Sequence, residues 1–401
     1  MKLQSFQRSL IFFSVFLFLI FILPNPAGAG SQYYPNPEPK TVTEGSLASD
    51  GKRLITFYCF LDPEKDPWHP SMKYGGLKEW NGQIWVDLWE SAGYGTNYCS
   101  DGDVAVRENV IVASHRDDRY GSTKAKHHSN YSGNWQPGTE ATFYSINSPR
   151  VAFAFNVPYI TFTSIGSGGP TKVYIECLYG CDGLPELNGT YRYFGAGIPS
   201  DVSSISLAGD SDAFYSAFVS LFVPTDSGEG CVNVEKKTRT QGDFIGGCFY
   251  AGDQPTQTDI VLYQGTPVVA YKADAGQTLW VAQWNGSVWA HIGTDTAGPG
   301  LSFGRLRAVA SGSKLFVGYE VRGSDQYRIV VYELKGSGWV AHPVPIDSCN
   351  ASNCAFQDLA LFQGQPVAAF TKDGVLKVVN LLGITAGGVM LPALPLLLLG
   401  D

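Results

Sequence analysis

Charge is scarce in this chain. Asp, Glu, Lys and Arg make up 16% of its 401 residues, and only six residues are histidine. The balance is negative, at −8. Nucleic-acid recognition depends on neutralising phosphates, so an acidic chain is not expected to take nucleic acid as a partner. Clusters of good helix formers are absent, and turn residues punctuate the whole length, which disfavours a helical fold. Motifs that carry chemistry are equally thin. There is no phosphate-cradling glycine loop and no nucleophile elbow around a serine. The cysteine spacings lack the paired C-x-x-C form of a zinc site. His127 and His128 are adjacent and would point to opposite faces of a strand, which argues against joint metal ligation. No catalytic residue, metal ligand or cofactor is assigned from the sequence.

What the chain does have is apolar content and a repeat. Hydrophobic residues reach 44%, with 46 Gly, 21 Tyr and 23 Phe, enough for a packed core and typical of an all-β protein. Three degenerate copies stand near the C-terminus: Asp259 to Tyr271, Leu306 to Tyr319 and Asp358 to Phe370. The copy beginning at Asp259 reads as four short strands. These are Ile260 to Tyr263, Pro267 to Lys272, Thr278 to Trp284 and Val288 to Ile292, with Asn285-Gly286 as the hairpin signal before the last. Taking Tyr271 as an anchor, related positions fall at Tyr58, Ser114, Phe162, Phe218, Tyr319 and Phe370, in steps of 48 to 56 residues. Seven anchors with four-strand meanders predict a seven-bladed β-propeller of four-stranded antiparallel blades. Units one to four are more diverged than units five to seven. A propeller often closes by pairing strands from both chain ends, and Lys40 to Thr43 or the start of the tail after Leu381 would supply such a strand.

The ends of the chain read as processing signals. Lys2 and Arg8 precede an apolar run from Leu10 to Leu23, and Ala27-Gly28-Ala29 matches a small-x-small cleavage pattern. Residues 1–29 are thus expected to be a signal peptide, residues 30–382 the propeller, and 383–401 an apolar tail. Removing 1–29 takes away two positive charges and no negative ones, moving −8 to −10. The tail reads either as the last blade strand or as a lipid-anchor signal, the one route by which a membrane is implied. Eight cysteines fit export and disulfides. Nearest-neighbour pairing, each within one repeat or its loop, gives Cys59–Cys99, Cys177–Cys181, Cys231–Cys248 and Cys349–Cys354. Sequons stand at Asn130, Asn188, Asn285 and Asn350. A secreted or cell-surface location follows.

Pro267-Val-Val-Ala-Tyr271, Leu279-Trp-Val-Ala282 and Trp284-Asn-Gly-Ser-Val-Trp289 resemble the generic repeat of extracellular β-propellers, similar in style to propeller lectins and to kelch or galactose-oxidase-type domains. The repeated Gly-Gly doublet of kelch blades and the Ser-x-Asp-x-Gly-x-x-Trp box of sialidases are missing, so the resemblance implies fold and export, not a reaction. Two loop clusters draw attention. Asp62 to Pro70, with Trp68 and His69, suits stacking on a sugar ring in blade one. Ser114 to Tyr120, with His115, Arg116 and Arg119, reads as a loop after the second strand of blade two, suited to an acidic or sugar ligand. The repeated residues Trp280, Trp284, Trp289, Tyr332 and Trp339 read as inter-blade packing. The expected function is non-catalytic binding of an extracellular glycan or protein. The alternatives are a secreted glycan-active hydrolase or lyase, which would show one deep pocket with converging carboxylates at the channel mouth, and a structural matrix protein.

Overall fold

The computed structural model describes residues 32–382, apart from 66, 68–70, 91–98, 118–123, 130–135, 138–140, 143–145, 166–170, 179–191, 195–201, 221–230, 248, 250–254, 274–276, 297–300, 324–326 and 347–348. The strands form seven antiparallel sheets, six of them a simple four-strand meander or closely similar. Blade one runs Thr41–Ser49, Leu54–Leu61, Lys73–Trp80 and Trp85–Glu90, from inner to outer strand. The inner and second strands of the next blades are Cys99–Arg107 and Val110–Asp117, Ile146–Ala154 and Val157–Ile165, then Val202–Gly209 and Ala213–Ser220. In blades five to seven they are Gln257–Tyr263 and Thr266–Ala273, Ser302–Ser311 and Lys314–Arg322, then Cys354–Phe362 and Gln365–Lys372. Blade two carries a split outer edge, with Gln136–Pro137 and Ala141–Thr142 both pairing Lys124–Ser129.

Seven separate hydrophobic clusters hold the sheets face to face, one at each interface from blades one and two round to blades seven and one. An open array would leave one terminal face without a partner, so a cluster at every junction is the signature of a closed ring. Closure is completed at the edge. Gln32–Tyr33 pairs with Val375–Asn380 and becomes the outer strand of blade seven. The expected closing strand, Lys40 to Thr43, instead leads into the inner strand of blade one, because the apolar stretch through Leu47 is needed in the core there. The tail lies outside the described residues.

The anchors sit where the periodicity puts them, on the second strands, with one exception. Tyr58, Phe162, Phe218, Tyr271, Tyr319 and Phe370 are all essentially fully buried and face the preceding blade. In blade two the equivalent position is His115, not Ser114. A strand shifted by one residue presents the opposite face. The ladder shows the shift: Ala270, just before Tyr271, pairs with Asp259, whereas Ser114 itself pairs with the corresponding Asp103. His115 is buried and stacks on Phe57 of blade one, with ring centroids 5.8 Å apart. Ser114 to Asp117 therefore belong to the strand Val110–Asp117, not to the loop after it.

The tryptophans latch neighbouring blades. The indole N–H of Trp85 donates to Pro35 O (2.8 Å), that of Trp289 to Ile245 O (3.0 Å) and that of Trp339 to Ile292 O (2.9 Å). Each acceptor lies on or beside the outer strand of the preceding blade. Gly293 makes room for one of them, since a Cβ there would lie 2.5 Å from Trp339 Nε1. The Trp284 to Trp289 box also recurs in blade one as Trp80-Asn81-Gly82-Gln83-Ile84-Trp85. In both, the Asn side chain accepts from the two N–H groups two and three residues on, at 3.0 and 2.9 Å. This Asx arrangement lengthens the connection, so the outer strand begins at Trp289 and not at Val288.

Cys59 and Cys99 are bonded as expected, but the bridge ties blade one to blade two and is not internal to a repeat. Cys349–Cys354 closes the connection into blade seven. Cys177 and Cys231 are both disulfide-bonded; Cys181 and Cys248, their expected partners, lie outside the described residues.

Candidate functional site

Every inner strand carries the same three-residue phrase: one polar residue, one apolar residue, then Ala or Val. The copies are Ser46-Leu-Ala48, Asp103-Val-Ala105, Arg150-Val-Ala152, Ser206-Leu-Ala208, Asp259-Ile-Val261, Arg307-Ala-Val309 and Asp358-Leu-Ala360. In each blade the polar residue pairs across the ladder with the residue just before the buried anchor. Seven equivalent positions around a closed ring must converge on its axis, so the chain builds a polar ring topped by a collar of small side chains. Six of these polar residues and all seven collar residues line one cavity of about 530 Å³, which opens past Asp50, Arg107 and Ser311 at the inner-strand hairpins.

The ring is divided into two arcs. In blades six, seven, one and two the polar groups satisfy one another. Arg307 Nε donates to Asp358 Oδ1 at 2.9 Å, and Ser46 Oγ lies 2.7 Å from Asp358 Oδ2 and 3.2 Å from Asp103 Oδ1. The same carboxylates staple the blades through the backbone. Asp358 accepts from Leu47 N (2.8 Å), Asp103 from Val151 N (2.9 Å) and Asp259 from Ala308 N (2.7 Å), each donor being the middle residue of the next blade's phrase.

Blades three, four and five form the open arc. Arg150 has one partner among the described residues, Asp103 Oδ1, and at 3.8 Å it is beyond hydrogen-bond reach. Ser206 is 2% exposed, and its hydroxyl has no hydrogen-bond partner among the described residues. Asp259 is fixed through Oδ2, and Oδ1 makes no hydrogen bond among the described residues. Burial pushes its carboxyl up to about 6, although Arg307, the Ala308 N–H and Arg150 pull the other way. Burial also raises Asp103. Three carboxylates and two guanidiniums give the ring a charge of 2 − 3 = −1 when all are ionised, and zero when Asp259 holds its proton.

The opposite end of the inner strands is a second, tightly paired network. Glu320 accepts from Arg305 N, Phe356 N and the Tyr327 hydroxyl at 2.7–2.9 Å, and Arg305 donates to Gln357 at 3.1 Å. Its polar groups are spent on joining blades six and seven.

Of the residues singled out from sequence, His115 is the core anchor described above, and Arg116 is half-buried beside Asp101 at 3.7 Å. Trp68, His69 and Arg119 lie outside the described residues, as do Asn130 and Asn188. The Asp62 to Pro70 segment falls only partly within the described residues, and 118–123, after Asp117, lie outside them. Asn285 and Asn350 are both exposed in turns. Among the described residues no group of three or more His, Cys, Asp or Glu is placed to hold a metal, and no helix is long and apolar enough to cross a membrane. The strongest periodic signal lies on the second strand, whereas the ring lies on the inner one. The recurring polar–apolar–small phrase is its signal, visible once the seven units are aligned.

No protein-family model and no curated protein matches this sequence. Solved structures do match in shape. One is an ulvan lyase of polysaccharide lyase family PL25, bound to -[GlcA(1-4)Rha3S]-, with a TM-score of 0.53 and 12% identity over 88% of this chain and 97% of that one. A second is the β-propeller domain of Cps50 (Swd1) from Myceliophteria thermophila, with a TM-score of 0.53 and 8% identity over 87% and 98%. A third is the β-propeller domain of the trilobed protease from Pyrococcus furiosus, with a TM-score of 0.50 and 7% identity over 85% and 94%. At these identities the likeness is one of fold, and the chain is a seven-bladed β-propeller whose scaffold is shared with a glycan-active enzyme among others.

Proposed function

We propose that this chain is an exported glycan-active enzyme, a hydrolase or lyase, that works on an extracellular polysaccharide at the channel cavity. The observation supporting this reading is the convergence of carboxylates in one cavity of about 530 Å³, with Asp259 held by one oxygen and its proton retained up to about pH 6. A carboxyl that exchanges its proton in that range suits general acid–base work on a glycosidic linkage. In a hydrolase it protonates the leaving oxygen, with Asp103, which borders the open arc, as the second carboxylate. In a lyase it carries the proton exchanged as the linkage is eliminated. The test is incubation of the mature protein with a polysaccharide panel. Reducing ends report hydrolysis, and ultraviolet absorbance of an unsaturated uronate reports elimination. Wild-type protein should give one of these products and Asp259→Asn neither; equal product from both would sink the assignment.

The second reading is non-catalytic binding of a glycan or protein. It is favoured by the saturation of the arc from Arg307 to Asp103, whose groups hold blades together. Retention in a gel containing polysaccharide, without any product, would select it. Export belongs to the same proposal: N-terminal sequencing of the secreted protein should begin at Gly30, and glycosidase treatment should lower its mass if the exposed Asn285 and Asn350 carry glycans.

A further inference from the structure

We propose that the open arc of the channel ring is a subsite for an anionic sugar residue, one bearing a carboxylate or a sulfate, with Arg150 as the anion clamp and Ser206 and Asp259 as its hydrogen-bonding neighbours. This deepens the glycan reading of the same cavity and rests on it.

Six of the seven blades place a polar residue on the wall of the cavity and Ser46 supplies the seventh position, yet the groups are not equally occupied. From Arg307 through Asp358 and Ser46 to Asp103, each has a protein partner at 2.7–3.2 Å. On the three consecutive blades that remain, Asp259 is held through Oδ2 alone, Arg150 has Asp103 at 3.8 Å, and Ser206 Oγ has no partner among the described residues. A buried polar group without a partner carries an uncompensated desolvation penalty, so natural interiors rarely keep one without a use. Here Ser206, 2% exposed, is such a group, and it stands between the incompletely engaged Arg150 and Asp259 on the wall of the same cavity.

The chemistry of the run selects the ligand. Arg150 carries a planar fork of donors; Asp103 at 3.8 Å is its one ion-pair partner among the described residues, with Asp259 and Asp358 acting on it from further off. Such a fork matches two oxygens of a carboxylate or sulfate. Ser206 Oγ both donates and accepts, which suits a sugar hydroxyl beside the charged group. Asp259 Oδ1 accepts from a second hydroxyl, or donates to an oxygen when protonated. The collar of Ala48, Ala105, Ala152, Ala208, Val261, Val309 and Ala360 keeps the approach clear of bulky side chains. At about 3.3 Å per residue, the four positions from Arg307 to Ser311 set the ring roughly 13 Å below the mouth. A chain end or a single projecting unit reaches that depth more readily than the middle of a stiff polymer.

The experiment is calorimetric titration with three probes: trigalacturonate, its methyl ester, and a sulfated galactan oligosaccharide. The carboxylate and sulfate arms separate the two anion sources. Wild-type protein should bind at least one charged probe about tenfold or more tighter than the neutral ester. Arg150→Gln should lose that preference and bind the charged probe no better than the ester. Arg150→Lys, which keeps the charge but not the fork, should fall between. Circular dichroism melts check that each variant is folded, and Ser206→Ala provides a second, milder probe with an expected loss of a few-fold. Equal binding of acid and ester, or an unchanged preference in Arg150→Gln, would overturn the subsite while leaving the glycan reading in place. Failure of every saccharide to bind would overturn both.

Discussion

Replacing Asp358 by alanine tests how the ring is closed. Its carboxylate accepts from Arg307 Nε (2.9 Å), Leu47 N (2.8 Å), Ser46 Oγ (2.7 Å) and its neighbour Leu359 N (2.8 Å). Two of those donors belong to blade one and one to blade six, so a single side chain spans three blades across the junction of the chain ends. The side chains of Arg307 and Asp358 are only 8% and 5% exposed. Removing one member of such a pair leaves a buried charge behind, a loss of about 3–5 kcal/mol. Asp259 and Asp103 also act on Arg307 and soften the loss, so the lower end of the range, about 3 kcal/mol, is expected. The assay is equilibrium unfolding in urea for wild type, Asp358→Ala, Arg307→Met and the double variant. The double variant should be clearly less destabilised than the sum of the singles, by about 1 kcal/mol or more, because it no longer strands the guanidinium. A loss under about 1 kcal/mol in Asp358→Ala, or additivity within about 0.5 kcal/mol, would refute the idea that this pair fastens the ring.

The other expectations concern pH, latches and bridges. Asp259 and Glu235 have folded-state carboxyls raised to about 6 and about 7, in both cases chiefly by burial. The folded state therefore holds protons that the unfolded chain has released, and their stabilising effect is present below pH 4 and lost as pH rises through 6 and 7. Melting curves of Glu235→Gln should gain on wild type at pH 8 relative to pH 5; an identical offset at both would contradict the shift. Trp289→Phe removes the indole donor to Ile245 O and should cost about 1 kcal/mol in urea unfolding, while Trp289→Ala should cost about 3–5. The Cys59–Cys99 bridge closes a separation of 40 residues and Cys349–Cys354 one of 5, so loop entropy predicts losses of about 4 and about 2 kcal/mol on replacing each pair with serine. A larger loss in the Cys349–Cys354 variant would contradict the loop-entropy ordering.

Much of the architecture was legible because it is periodic. Alternation and turn residues marked the strands, and the Tyr or Phe anchor recurs since each blade must bury one large ring against its neighbour. The anchor slipped by one residue in blade two because histidine does not look like a core aromatic. Only its stacking on Phe57 and the pairing of Asp103 with Ser114 reveal its place. The closing strand was misplaced for a related reason: Gln32–Tyr33 is two residues long and has no pattern of its own. The same blindness affected the Cys59–Cys99 bridge, whose partners are read correctly as neighbours in sequence although they lie on different blades. The channel ring differs again. Ser, Asp and Arg at one position are all polar but share neither charge nor shape, so a reading keyed to similar side chains passes over them. What they share is a geometric role on the axis, and that becomes visible only when seven inner strands converge.

The central claim is that the axis of this propeller has a structural arc and a ligand-binding arc. A crystal structure of the mature protein soaked with trigalacturonate tests it most directly. The account predicts a sugar carboxylate against Arg150, within hydrogen-bond reach of Ser206 or Asp259, with the arc from Arg307 to Asp103 unchanged. Sugar density on the outer rim or between blades, with the channel occupied by water alone, would contradict it.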